Sequence, residues 1–172
     1  YRKDGSKFWN GLRISPVLSK DGNLQYFLGF QADVTKRMEG EIALIAERDY
    51  NASILRGTPA VVCGISPQGT TNFINPAGEK VTGYSSEELV GKNWWDIFYP
   101  GKEHAQAEKL LQDFEKGDVR DYEMTLTAKN GERRTISWKS MNRTDPNGSI
   151  IEGIGVGNDV TERAHAEEEL RK

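Results

Sequence analysis

The chain holds one thiol, Cys63, and two imidazoles, His104 and His165. A redox or nucleophilic cysteine wants exposure and a neighbouring base. Cys63 instead lies in the apolar run Ala60-Val61-Val62-Cys63-Gly64-Ile65, so it reads as a buried, inert thiol. The two histidines are far apart among polar residues, and no second ligand stands at useful spacing, so no metal or haem site is expected. A single cysteine also excludes a disulfide framework and a multi-cysteine zinc site. There is no GxxxxGK phosphate loop, no Ser/His/Asp order and no Cys/His pair. Asp and Glu fall in turns and at helix ends, where caps and solvation account for them. We expect no catalysis from this chain.

The remaining side chains with chemical potential are aromatic or capping. Trp94 and Trp95 are adjacent, so one is expected to pack inward and the other to cover the surface. Trp138 alternates with Ile136 and Ser140 on a strand, and its ring either fills the core or lines an interior pocket. Trp95 and Trp138 are therefore the candidate pocket residues. Asp159 and Thr161 stand where a strand passes into a helix, and their oxygens can accept from the first free N–H groups of that helix.

These residues need elements to position them. Residues 60–65 read as a strand closed by Ser66-Pro67-Gln68-Gly69, with 70–74 as its hairpin partner. Asn75-Pro76 opens a short helix as cap and first residue. Ser85 and Glu88 have capping-box spacing at the start of another. Lys102 to Lys116 reads as a longer amphipathic helix with Ala107, Leu110, Leu111 and Phe114 on one face, ended at Gly117. His104 falls near its solvated start. Three strands follow at about 119–128, 132–143 and 149–159, joined by turns at Lys129-Asn130-Gly131-Glu132 and Asp145-Pro146-Asn147-Gly148. The order predicts an α+β fold, a five-stranded antiparallel sheet with helices on one face.

The chain also repeats itself. A shift of about 126 positions lays Lys3-Asp4-Gly5 on Lys129-Asn130-Gly131, Gly22 on Gly148 and Gly29 on Gly155. It lays Asp33-Val34-Thr35 on Asp159-Val160-Thr161, then Arg37 on Arg163 and Glu41 on Glu167. The reading is a tandem array of domain-sized units. Residues 1–36 are the last three strands of one unit, 37–50 a linker helix, 51–161 a complete unit and 162–172 the start of an exit helix.

The whole is 172 residues, with 36% apolar and 28% charged side chains. Four Trp, six Tyr and six Phe argue against disorder. Lys plus Arg total 23 against 26 Asp plus Glu, and this near balance argues against nucleic acid as a partner. No apolar run approaches a membrane span and no signal peptide is present, so a cytoplasmic location is expected. Starting at Tyr1 rather than Met, the chain reads as an excerpt of a longer protein.

Residues Asn72-Phe73-Ile74-Asn75-Pro76-Ala77, then Gly83-Tyr84-Ser85-Ser86-Glu87-Glu88-Leu89-Val90-Gly91-Lys92, and the closing Asp159-Val160-Thr161-Glu162-Arg163 resemble a PAS domain. The resemblance implies a sensor or dimerisation module in a signalling protein, such as a bacterial sensor histidine kinase or a cyclic-dinucleotide enzyme. The first 36 residues resemble the closing strands of a flavin-binding LOV-type PAS domain. There the resemblance implies that Asn10 and Gln31 hydrogen-bond a flavin ring, as side-chain amides can. The bland alternative is a common PAS strand at Phe8-Trp9-Asn10 and an exposed Gln31. In the complete unit the equivalent positions are Ile136 and Gly157, and Trp94 stands at the family's photoreactive cysteine. Light-driven cysteinyl adduct chemistry is therefore excluded at that position of 51–161, whose cofactor stays unknown, and a flavin is an expectation for the preceding unit alone.

The helical runs 36–49 and 162–172 complete the reading. Met38, Ile42 and Ile45 form one stripe, Ala166 and Leu170 another. Two expectations stand side by side: pairing with a second copy as a homodimer, or packing of each helix on its own domain. Neighbouring signalling domains and a small-molecule ligand are the other expected partners.

Overall fold

A computed structural model describes residues 1–100 and 122–171. The helix expected over 102–116, with His104 and Gly117, lies outside the described residues. The chain divides into two compact units, Tyr1–Ala52 and Ser53–Lys172.

The first unit is a hairpin, β1 (Asn10–Leu18) and β2 (Leu24–Asp33), followed by the long helix α1 (Thr35–Gly57), which runs on past the unit's end. The strands pair antiparallel, with Asn10 opposite Asp33 and Leu12 opposite Gln31. Two strands form here instead of the expected three. The residues before Asn10 form a turn around Lys3-Asp4-Gly5 and no strand. Large apolar side chains stand exposed on both faces of the hairpin: Leu12, Ile14 and Phe27 on one, Tyr26, Leu28 and Phe30 on the other.

The second unit holds β3 (Val61–Ile65), β4 (Thr71–Ile74), α2 (Pro76–Thr82), α3 (Ser86–Leu89), α4 (Trp94–Phe98), β5 (Tyr122–Thr127), β6 (Arg133–Thr144), β7 (Ile150–Asp159) and the exit helix α5 (Thr161–Leu170). Its five strands form one antiparallel sheet in the order β4-β3-β7-β6-β5. This is the sheet the sequence predicts, with the last strand in the chain, β7, at its centre.

Local chemistry fixes the elements. The Asn75 side chain accepts from Gly78 N–H at 3.0 Å and so caps α2, with Pro76 at the first helical position. The same amide accepts from Val62 N–H at 2.8 Å and donates to Ala60 O at 2.9 Å, which ties the helix start to β3. Gly83 ends α2 in the left-handed region, a conformation glycine adopts without steric cost. Ser85 and Glu88 form the expected reciprocal capping box.

One face of the sheet carries the core. Opposed residues in antiparallel strands share a face, so Cys63, Ile74, Ile136 and Met124 point together toward the helices. Leu89, Trp94, Phe98 and Tyr99 close over them. Leu89, Phe98, Leu126 and Ile136 are fully enclosed, each worth about 1.5–3 kcal/mol relative to exposure.

Candidate functional site

Trp94 and Trp95 are both buried, at 2% and 5% exposure, which corrects the expectation that one of them would cover the surface. They point different ways along a single turn of helix that is enclosed on two sides. Trp94 lies 4.4 Å from Phe98 and meets Trp138 edge-on at 6.1 Å, toward the sheet. Trp95 lies 5.7 Å from Tyr99 and rests against the β3–β4 turn. There Gly69 has positive φ, and a Cβ on it would meet the Trp95 ring at 2.7 Å. Asn93 caps this turn through Trp95 N–H, and Trp94 N–H donates to Gly69 O.

Trp138 is half-buried and packs on the core cluster. Its six-membered ring lies over Gly155 and Gly157 of the neighbouring strand. Among the described residues the contacts of the two candidate pocket residues are packing ones: Trp138 lies on the central strand, and Trp95 against the β3–β4 turn.

The same rings decide whether a flavin fits the second unit. Gly157 is the position equivalent to Gln31, and a Cβ there would stand 2.5 Å from Ile136 and 2.8 Å from Trp138. No amide side chain has room at that point, and Ile136 supplies none from β6, so among the described residues these two positions do not fit the group. In the first unit Asn10 and Gln31 do share one face of the hairpin, diagonally across the strands. Both are exposed, and this hairpin supplies only one wall for a ring.

Cys63 is fully enclosed, and burial pushes its thiol up to about 12. A cleft of about 250 Å³ opens between the end of α2 and the β5–β6 turn, lined in part by Lys80, Lys129, Glu132 and Arg134. Lys129 is already paired with Glu88, and Arg134 with Glu132 and Asp159. Among the described residues no group of three or more His, Cys, Asp or Glu is placed to hold a metal ion. No described helix is long and apolar enough to cross a membrane.

The strand-to-helix joint is the most organised polar site. Asp159 Oδ1 accepts from Thr161 N–H at 3.0 Å and from the Thr161 hydroxyl, while Arg134 donates to Asp159 Oδ2 at 3.1 Å. Thr161 does not accept from the helix. Its Oγ1 accepts from Thr135 N–H of β6 at 2.9 Å, because its own helical position turns the hydroxyl back to the sheet. Val160 N–H donates to Thr135 O, and Ala164 N–H to Val160 O, which begins the helix. Burial works to raise the Asp159 carboxyl, yet the bonds from Thr161 and Arg134 outweigh it and hold the group below its ordinary 3.8.

The first unit repeats this joint bond for bond. Asp33 Oδ1 accepts from Thr35 N–H at 3.0 Å, Thr35 Oγ1 accepts from Trp9 N–H at 2.9 Å, and Val34 N–H donates to Trp9 O. The arginine differs in origin: Arg2, from the opening turn, donates to Asp33 Oδ2 at 2.6 Å. Sequence reasoning found the aspartate and threonine but not the arginines, which no local spacing marks. It also missed Glu152, 6% exposed on β7, which accepts from Asn72 at 2.7 Å and Arg143 at 2.9 Å across three strands.

Sheet order, capped helices and twin joints define a class, and the comparisons agree with it. The family model described as PAS domain matches residues 1–36 and 58–162. The chain belongs to the PAS domain family. A PAS domain from Colwellia psychrerythraea superposes with a TM-score of 0.58 at 21% identity, covering 66% of this chain and 97% of that one. The bacterioopsin transcriptional activator of Halobacterium salinarum is 48% identical over 48 residues, 28% of this chain. Blue-light-activated histidine kinase 1 of Erythrobacter litoralis is 28% identical over 95 residues, half of this chain. The chain spans 7% and 26% of the length of these two curated relatives.

Proposed function

We propose that this chain is a signal-relay module from a larger signalling protein of the sensor histidine kinase kind. It comprises a complete PAS unit over 51–161 preceded by the closing strands of another. The unit passes its state to the exit helix α5 through the Asp159-Thr161 joint, and α1 stands in the same relation to the unit before it. The chain performs no catalysis of its own. The observation that carries this reading is the recurrence of one joint, in the same hydrogen bonds, at both strand-to-helix junctions.

The partners that follow are neighbouring signalling domains and a second copy of the chain, paired through the stripes on α1 and α5. A blue-light-activated histidine kinase among the relatives favours the same parent class, and the reading carries with it a cytoplasmic location. Asp159→Ala in the full-length parent is the test. Altered signal output with an unchanged melt supports the relay; unchanged output with an unchanged melt removes it.

A second reading, a ligand-free interaction module, is favoured by the Trp94, Trp138 and Phe98 rings packed between sheet and helices. An absorbance spectrum of the purified chain separates the two where the ligand is coloured. A flavin or haem band sinks the ligand-free reading.

A further inference from the structure

We propose that Arg163 is a two-position latch on the exit helix, exchanging its carboxylate partner between Glu123 on edge strand β5 and Glu167 one turn further along α5. The proposal rests on the relay reading and names the contact through which the helix would be held or let go.

Arg163 lies in the first turn of α5, and its guanidinium donates to Glu123 Oε1. That ion pair binds the start of the helix to the sheet edge, beside the joint bonds that bind it to β6. Four residues beyond Arg163 stands Glu167, the carboxylate that a helical arginine can reach without leaving its own helix. The chain displays this second arrangement in its other unit. After the first joint Arg37 Nε donates to Glu41 Oε1 at 2.9 Å. Arg37 and Glu41 are the repeat equivalents of Arg163 and Glu167. Arg37, which has no counterpart of Glu123 within the 172 residues, thus takes the helical partner, and Arg163, with Glu123 beside it, takes the strand partner.

Neither arrangement dominates on energetic grounds. The side chains of Arg163 and Glu123 are 54% and 47% exposed, and those of Arg37 and Glu41 75% and 51%. Exposed ion pairs are weak and similar in strength. Arginine placed before glutamate is also the poorer i,i+4 orientation, which leaves Glu123 a small advantage. A near-balanced exchange of this kind can be tipped by a modest bias from either end. With Glu123 engaged, the direction of α5 is fixed to the sheet edge. With Glu167 engaged, the tie to the sheet edge is released, and the helix beyond the joint can change its packing.

The experiment uses the 172-residue chain carrying nitroxide labels at His165→Cys on α5 and Glu87→Cys on α3, both exposed, with buried Cys63 left unlabelled. Pulsed electron spin resonance then reads the distance distribution, and a thermal melt checks that the sheet is intact. Glu123→Gln should move the population toward the released distance by about two- to fivefold, the range one exposed pair carries. Glu167→Gln should move it the other way. Exchanging the charges, Glu123→Arg with Arg163→Glu, should restore the docked distance. A distribution that ignores both single variants, moves the same way in both, or fails to return on the charge exchange overturns the latch. The distances read docking directly, so the latch can fail while relay through Asp159 stands. A docked distribution that behaves as expected, with parental output indifferent to Asp159→Ala, removes the relay reading instead.

Discussion

Asp33 and Asp159 do the same work in different surroundings. The Thr35 hydroxyl, then Arg2, lower the Asp33 carboxyl to about 2. A group with a depressed folded value stabilises the fold above its unfolded value and loses that contribution as pH falls through the folded one. The first joint should therefore hold at pH 4 and loosen between about 4 and 2, and carbon-detected titration of the Asp33 carboxyl should give an apparent value near 2. A value near 3.8 would mean that the joint does not form in solution. Cys63 lies at the opposite extreme, raised to about 12 by burial. It should resist thiol reagents at pH 8 in the folded chain and react only at the rate of unfolding; fast modification would contradict its enclosure.

Elements here are held by a few side chains that bond more than one neighbour. Asn75 caps α2 and also bridges to Val62 and Ala60. Asn75→Ala removes the cap and leaves buried backbone groups unpaired, costing at least about 2 kcal/mol in a urea melt. A loss under about 1 kcal/mol would reduce its role to an ordinary helix cap. Gly157 matters for the opposite reason, since the space beside it is already filled by Ile136 and Trp138. Gly157→Ala should cost about 1–3 kcal/mol through overpacking, and a neutral melt would show that Trp138 can move aside. Such motion would reopen the ligand question.

At the scale of the whole chain, two compact units lie along one polypeptide. The second has a five-stranded sheet with a closed core, whereas the first shows a hairpin with apolar side chains exposed on both faces. A segment spanning 51–172 should therefore melt cooperatively, with a midpoint within a few degrees of the main transition of the whole chain. Calorimetry of the two chains makes the comparison. A non-cooperative melt of the segment would mean that the unit depends on residues before 51.

The sequence by itself determined whatever local chemistry encodes. Asn75-Pro76 at one helix start, Ser85 with Glu88 at another, and glycines in the turns of the last two hairpins mark element ends by spacing alone, and alternation marks the strands between them. The 126-residue repeat and the PAS motifs then gave the order and the fold. The site was less legible. Asp159 and Thr161 were visible as a repeated triplet, but which oxygen faces the helix and which the sheet follows from pairing Thr135 across 26 residues. Trp94 and Trp95 look like an inside-outside pair because helical periodicity describes an element with one open side, and this turn has two covered ones. The Glu152 contact with Asn72 and the Arg134–Asp159 and Arg163–Glu123 pairs carry no local signature, since in each the partner arrives from another element. Tertiary structure decided these contacts because folding brings together charges that the chain keeps far apart, and only the register of the sheet says which of them meet.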